Sequence, residues 1–346
     1  MNATPVSNTR ILLASRPSGE PTHENFRLET APVPTPGDGE VLLRTIYLSL
    51  DPYMRGRMND AKSYAAPVEI GAVMEGGTVS EVVESNDPGF SPGDFVLSHL
   101  GWQAYGVQPG KFLRKLDPAR APISTAVGVL GMPGFTAYAG LLEIGKPKEG
   151  ETVAVAAASG PVGSAVGQIA RIKGAKTIGI AGGPDKVAYL KELGFDAALD
   201  HRSLSFGEDV KVASPDGIDV YFENVGGAVW DAVRPLLNTY GRVPVCGLVS
   251  HYNDTSLPDG PDRSAQLMSA ILTKSLTVRG FIQHEFAKTH YKSFQEDMSA
   301  WIRDGEFIYR EDIVDGLENA PEAFFGLLTG KNFGKLLVQV GPDPTR

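Results

Sequence analysis

Between Thr152 and Cys246 short apolar runs alternate with stretches whose apolar residues recur every three or four positions. The runs have strand length, and the spacing between them is helical. This pattern predicts strands over 152–158, 176–181, 197–199, 218–222 and 241–246, with helices over 163–173, 184–193 and 227–237. Strands alternating with helices of that length build right-handed βαβ units and a parallel, doubly wound sheet. Before about residue 125 the rhythm is different. Val41–Leu48, Val79–Glu84 and Phe95–Ser98 read as strands entered through proline and glycine turns such as Ser91-Pro92-Gly93-Asp94, which suggests a compact β-rich domain. A helix is expected over Thr136–Ile144, turn and helix from Ile313 to Leu328, and a last strand over Lys335–Val340. That strand is placed to return to the first domain. The expected division is 1–125 with 311–346, and 126–310, in an α/β chain.

Composition narrows the function. A chain of 346 residues exceeds the usual single-domain size, in line with two domains. The net charge of −9 disfavours binding to a phosphate backbone, so no nucleic-acid partner is expected. No apolar stretch reaches membrane-spanning length and the opening MNATPVSNTR is polar, so the expected location is cytoplasmic, with no membrane partner. Cys246 is the only cysteine, which rules out an intrachain disulfide and a cysteine-rich zinc site. None of the six histidines sits in a metal-motif spacing, and no metal is expected.

The candidate chemistry centres on Glu151–Lys176. Its first apolar run breaks into Ser159-Gly160-Pro161-Val162-Gly163 and resumes as a helix. Strand, glycine turn and helix N-terminus form an anion site, because close backbone approach and open N–H groups suit a pyrophosphate. Ala158 occupies the place of the first glycine in the dinucleotide fingerprint. About 20 residues on, a carboxylate would select a free ribose 2′-hydroxyl. Gly182-Gly183 stands there instead, with Lys186 close by, which favours NADP(H) over NAD(H). The plainer reading of Lys186 is a solvated residue at a helix start. Asn224, in Phe222-Glu223-Asn224-Val225-Gly226-Gly227 at a strand end, is either a ribose ligand or an ordinary turn residue. Cys246-Gly247-Leu248-Val249-Ser250 ends the next strand and could lie along a nicotinamide; Cys246 itself reads as a small buried residue.

Together these motifs resemble the medium-chain dehydrogenase/reductase superfamily, in its zinc-independent branch of leukotriene B4 12-hydroxydehydrogenase/prostaglandin reductase-like enzymes. The resemblance covers nearly the whole chain. It is carried by Leu50-Asp51-Pro52-Tyr53-Met54-Arg55, Gly131-Met132-Pro133-Gly134-Phe135-Thr136-Ala137-Tyr138, the 157–168 glycine segment, Lys186-Val187-Ala188-Tyr189-Leu190, Phe222–Gly227 and Asn332-Phe333-Gly334-Lys335. It implies a GroES-like domain, a Rossmann domain, NADPH and a homodimer. It would put Gly160, Pro161, Val162 and Gly163 under the pyrophosphate and Lys186 at the 2′-phosphate. Asn224, Cys246, Gly247, Ser250, Tyr252, Phe281, Ile282 and Asn332 would complete the cofactor site. His201 stands where relatives commonly carry a Tyr. The implied reaction is reduction of the C=C bond of an enone, a small-molecule substrate. Hydride goes to the β-carbon, Tyr252 serves the enolate as donor or merely as an aromatic wall, and water can protonate the α-carbon. Tyr53 and Tyr64 are the candidate substrate-cleft residues. A quinone oxidoreductase and a noncatalytic NADPH-binding protein are the competing readings.

Overall fold

The structure is a computed structural model that describes residues 7–256 and 261–346. The chain divides into two compact units, Met1–Gly128 with Glu311–Arg346, and Val129–Arg310.

The first unit is β-rich. It opens with β1 (Ser7–Leu13) and β2 (Phe26–Pro32), an antiparallel pair. Next come β3 (Glu40–Ser49), the short helix α1 (Tyr53–Arg57), β4 (Thr78–Ser85), β5 (Phe95–Ser98), β6 (Tyr105–Pro109) and β7 (Arg114–Leu116). Strand β3 alternates little, because its apolar residues are buried on both faces; Val41, Leu43, Tyr47 and Leu48 are all fully enclosed. One core centres on Trp102, which stacks on Phe26 at 5.5 Å and meets Phe324 edge-on at 5.7 Å.

The second unit contains α2 (Met132–Ala139), β8 (Thr152–Ala156), α3 (Pro161–Ile172), β9 (Lys176–Ala181), α4 (Pro184–Glu192), β10 (Ala197–Asp200) and α5 (Phe206–Ala213). After these come β11 (Ile218–Phe222), α6 (Gly227–Val233), β12 (Leu237–Val245), α7 (Ser264–Thr273), β13 (Thr277–Gly280) and α8 (Ala287–Arg303). Six parallel strands form one sheet in the order β10-β9-β8-β11-β12-β13. This is the doubly wound dinucleotide order, whose switch point lies between β8 and β11. The α/β expectation is borne out.

The chain then rejoins the first unit through β14 (Glu311–Asp315), α9 (Ala320–Leu328) and β15 (Lys335–Gln339). Strand β15 pairs antiparallel with β3 and parallel with β14, within a seven-stranded sheet. Residues 313–315 are therefore strand rather than the expected turn. Glu311, Asp312 and Asp315 disguise a charged edge strand whose pairing, not its composition, makes it extended. The apolar pattern also left Ser264–Arg303 unassigned. Yet α8 carries Tyr291, Phe294, Met298 and Trp301 at helical spacing, with Phe294 and Met298 wholly buried.

Two distant motifs meet in the first unit. Lys335 Nζ donates to Asp51 Oδ1 and to the Leu50 carbonyl, each at 2.8 Å, and Ser49 Oγ bonds the other carboxylate oxygen. The ion pair is buried, with Lys335 side-chain exposure of 3%.

Candidate active site

In the second unit the site grows from the C-terminal ends of the parallel strands. Strand β8 is buried along its length, and Ala157 leaves it with φ +51°, in the left-handed region. The turn thus places alanine where glycine would be easier, a local strain typical of functional loops. Helix α3 starts immediately, with Gly160 at its N-cap and Pro161 in its first turn, and no side chain caps it. Gly163 is required there. A Cβ would lie 2.4 Å from the Ala157 carbonyl oxygen, so any larger residue would push the helix off the turn. The helix start, presenting the amides of Val162 and Gly163, could take a pyrophosphate.

Across the switch point, Asn224 Nδ2 donates to the Ala156 carbonyl at 2.8 Å. Its amide is thus spent on joining the ends of β8 and β11, which gives the turn reading a structural basis and leaves the carboxamide oxygen as the group for a ligand. Glu223, quoted in the sequence only as part of a motif, shapes this turn. Its Oε1 accepts from Val225 N at 2.7 Å, Gly226 N at 2.9 Å and the Tyr221 hydroxyl at 3.2 Å. Burial raises the carboxyl above its usual range against those donors. An acidic residue two and three positions before a Val-Gly turn was the available signal.

The loop after β12 interlocks with that turn. Cys246 N donates to the Glu223 carbonyl, Val249 N to that of Asn224, and Ser250 Oγ to that of Val225. Dense packing, then the Glu223 carboxylate, push the Cys246 thiol up to about 12, so it stays protonated and is no nucleophile. The Tyr252 hydroxyl lies 3.0 Å from where a Gly247 Cβ would be. Gly247 therefore makes room for that hydroxyl at the strand's end. Beyond β13, the Phe281 ring packs edge-on against Phe222 at 6.1 Å, and Ile282 N donates to Glu285 Oε1 at 2.8 Å. The Ile282 carbonyl in turn accepts from Glu285 N at 3.0 Å, so both backbone groups of Ile282 are tied to Glu285 and its side chain is what it offers a ligand.

A separate cationic cradle sits at the ends of β9 and β10. A Gly182 Cβ would lie 2.8 Å from His201 Nε2 and 2.9 Å from Arg202 Nε. Lys186, in the first turn of α4, acts on the same imidazole. Burial first, then Arg202 and Lys186, lower the His201 pKa, while Asp200 opposes them. Asp200 Oδ1 is tied to the local backbone, accepting from Gly183 N at 3.0 Å and Arg202 N at 2.9 Å. These donors hold its pKa below the usual range. An imidazole and a guanidinium at a side-chain-free spot, with the Lys186 charge acting on the imidazole, suit a phosphate dianion. The glycine cradle at α3 and the cationic cradle at Gly182 fit a dinucleotide carrying a 2′-phosphate.

Within the first unit, the structure brings Tyr53 and Tyr64 together around the Arg57 guanidinium, 5.7 Å and 4.3 Å from the two ring centroids. Burial, then Asp51 and Glu75, push the Tyr53 phenol well above its ordinary pKa, so it is a donor and not a base. Asn332 precedes β15, and its Nδ2 donates to the Gly334 carbonyl at 2.9 Å. Among the described residues no group of three or more His, Cys, Asp or Glu could hold a metal ion, and no helix is long and apolar enough to cross a membrane.

Residues 9–116 match the model for the N-terminal domain of oxidoreductase, and residues 161–302 that for zinc-binding dehydrogenase. The chain is 57% identical over 337 residues to NADPH-dependent curcumin reductase of Escherichia coli (strain K12), covering 97% of this chain and 98% of the relative. It is 43% identical over 326 residues to prostaglandin reductase 1 of Rattus norvegicus, covering 93% and 95%. The crystal structure of CurA in complex with NADPH from Vibrio vulnificus superposes with a TM-score of 0.94 at 55% identity, over 97% of this chain and 100% of that one.

Proposed function

Because the chain belongs to the medium-chain dehydrogenase/reductase superfamily, in its curcumin reductase-like branch, we propose that it uses NADPH to reduce the C=C bond of α,β-unsaturated ketones and aldehydes. The observation that carries this reading is the meeting of His201 and Arg202 at Gly182, with Lys186 acting on the same imidazole, on a sheet of the dinucleotide order. The Val162 and Gly163 amides, opened by Gly160 and Pro161 at the start of α3, would hold the pyrophosphate, and the cationic groups at Gly182 the 2′-phosphate. Asn224, Cys246, Gly247 and Ser250 line the ribose and nicotinamide side, with Phe281 and Ile282 beyond them. When bound, NADPH supplies hydride to the β-carbon of the substrate.

The chain's own task is to stabilise the negative charge that appears on the substrate carbonyl oxygen. Hydrogen-bond donors do this work. The Tyr252 hydroxyl, over Gly247, is the donor assigned here. One preorganised donor contributes roughly 2.7–4 kcal/mol to such a transition state. Water protonates the α-carbon, and Tyr53 and Tyr64, gathered around Arg57 in the first unit, are the candidate substrate-binding rings. Purified protein is expected to oxidise NADPH with linear alkenals, alkenones or curcuminoids faster than with quinones. Tyr252→Phe is expected to lower kcat about a hundredfold or more. No turnover on any enone would sink the reading, and unchanged kcat in Tyr252→Phe would reduce that residue to a wall.

A homodimer is part of the same proposal. The parallel sheet ends on β13, all of whose residues are exposed, and the apolar helix α7 buries none of its residues. An open sheet edge beside exposed Met268 and Leu272 calls for a cover, and a second copy supplies one. Sedimentation should show a dimer that Met268→Glu with Leu272→Glu converts to monomer; a dimer surviving both changes would reject this face.

A further inference from the structure

The guanidinium of Arg57 is buried, with side-chain exposure of 5%, although nothing in the proposed chemistry uses it. A buried cation costs free energy unless it is paired and hydrogen-bonded, so its partners show what it is for. Nε donates to Glu75 Oε1 at 2.9 Å and Nη1 to the Ala65 carbonyl at 3.4 Å. The Arg57 carbonyl accepts from Val68 N at 2.8 Å. Arg57 thereby fastens the end of α1 to the segment Met58–Gly77, which holds no helix or strand. Long irregular segments of this kind are commonly binding loops. Arg57 also lies against both candidate substrate rings, closest to Tyr64. Tyr64 is 59% exposed, so a ring with one face on the guanidinium keeps most of its surface open. A flat conjugated ligand can stack on that open surface, and the cation behind the ring fixes its angle.

We propose that Arg57 is a positioning residue that holds Tyr64 beside Tyr53 as a platform for aryl-substituted enones, and so sets the preference for these over short alkenals. This rests on the enone reading above. The long aryl substrate needs a second flat contact away from its reacting carbons, whereas a short alkenal does not reach one.

The test compares 4-phenyl-3-buten-2-one with trans-2-pentenal, using NADPH and the full chain. Arg57→Met keeps the apolar stem and removes the guanidinium. It is expected to lower kcat/KM for the aryl enone about tenfold, mainly through KM, and for the pentenal by less than about threefold. Tyr64→Ala should show the same selective loss, and the double variant should be no worse than Tyr64→Ala alone. Arg57→Lys, which keeps the charge but loses the fork, should shift the substrate ratio about threefold in the same direction. If Arg57→Met does not fold, this lysine variant decides. Equal losses on both substrates, additive losses with Tyr64→Ala, or a ratio that Arg57→Lys leaves unmoved would overturn the proposal. A wild-type protein that reduces neither compound would instead overturn the enone reading itself.

Discussion

Lys186→Ala is expected to raise the KM for NADPH by about tenfold to a hundredfold while changing the KM for NADH by less than about threefold. The two cofactors differ only in the 2′-phosphate, so the ratio isolates the cradle from the rest of the site. A hydrogen bond to a charged group contributes about 1.5–3 kcal/mol, which sets the size of the effect. Arg202→Ala should act in the same direction, because its guanidinium lies over the same glycine. Equal effects on both cofactors would remove Lys186 from the phosphate. His201 adds a pH dependence. Its pKa is lowered, chiefly by burial and next by Arg202, with a smaller push from Lys186, while Asp200 and a backbone hydrogen bond pull the other way. A bound phosphate dianion raises it again. Protonation is therefore coupled to binding, and the gain is complete below the pKa of the free imidazole and lost as pH rises through that of the bound one. NADPH should bind more weakly as pH rises through this window. His201→Phe should flatten the trend relative to wild type, a comparison in which titration of the phosphate itself cancels. Identical pH profiles for the two proteins would contradict the coupling.

Lys335→Met should destabilise the first unit by about 3–5 kcal/mol, the cost of leaving a buried carboxylate without its partner. Asp51 would retain only Ser49, in an interior that excludes water. The melting temperature should fall by on the order of 10 °C in calorimetry. Changing Asp51→Leu together with Lys335→Met should recover more than half of the loss, because a well-packed apolar pair replaces a buried ion pair at little cost. A single variant that melts with the wild type would show that the pair contributes nothing.

Much of the second unit could be read from the sequence because its signals are local. The strand–turn–helix from Thr152 to Ile172 lies within one stretch of chain, and Lys186 follows its strand within a few residues. Glycines at 182 and 183 advertise the missing carboxylate by position alone. Less was legible where composition hides pairing. Strand β14 is acidic and becomes extended only beside β15, and α8 shows its buried stripe only between charged residues. Asn224 looked like a ligand or a turn residue, and its bond to Ala156 gives it a joint between two strands.

The sequence by itself determined the βαβ rhythm, the glycine turn, the preference for a 2′-phosphate and the family, because each depends on residue types at short, fixed spacings. Tertiary structure alone decided which distant groups share a site. Lys335 meets Asp51 across 284 residues of chain, His201 and Arg202 meet Gly182, and Arg57 gathers Tyr53, Tyr64 and Glu75. Such partners are chosen by strand pairing and by the need to satisfy every buried charge, and both conditions exist only once the chain has folded.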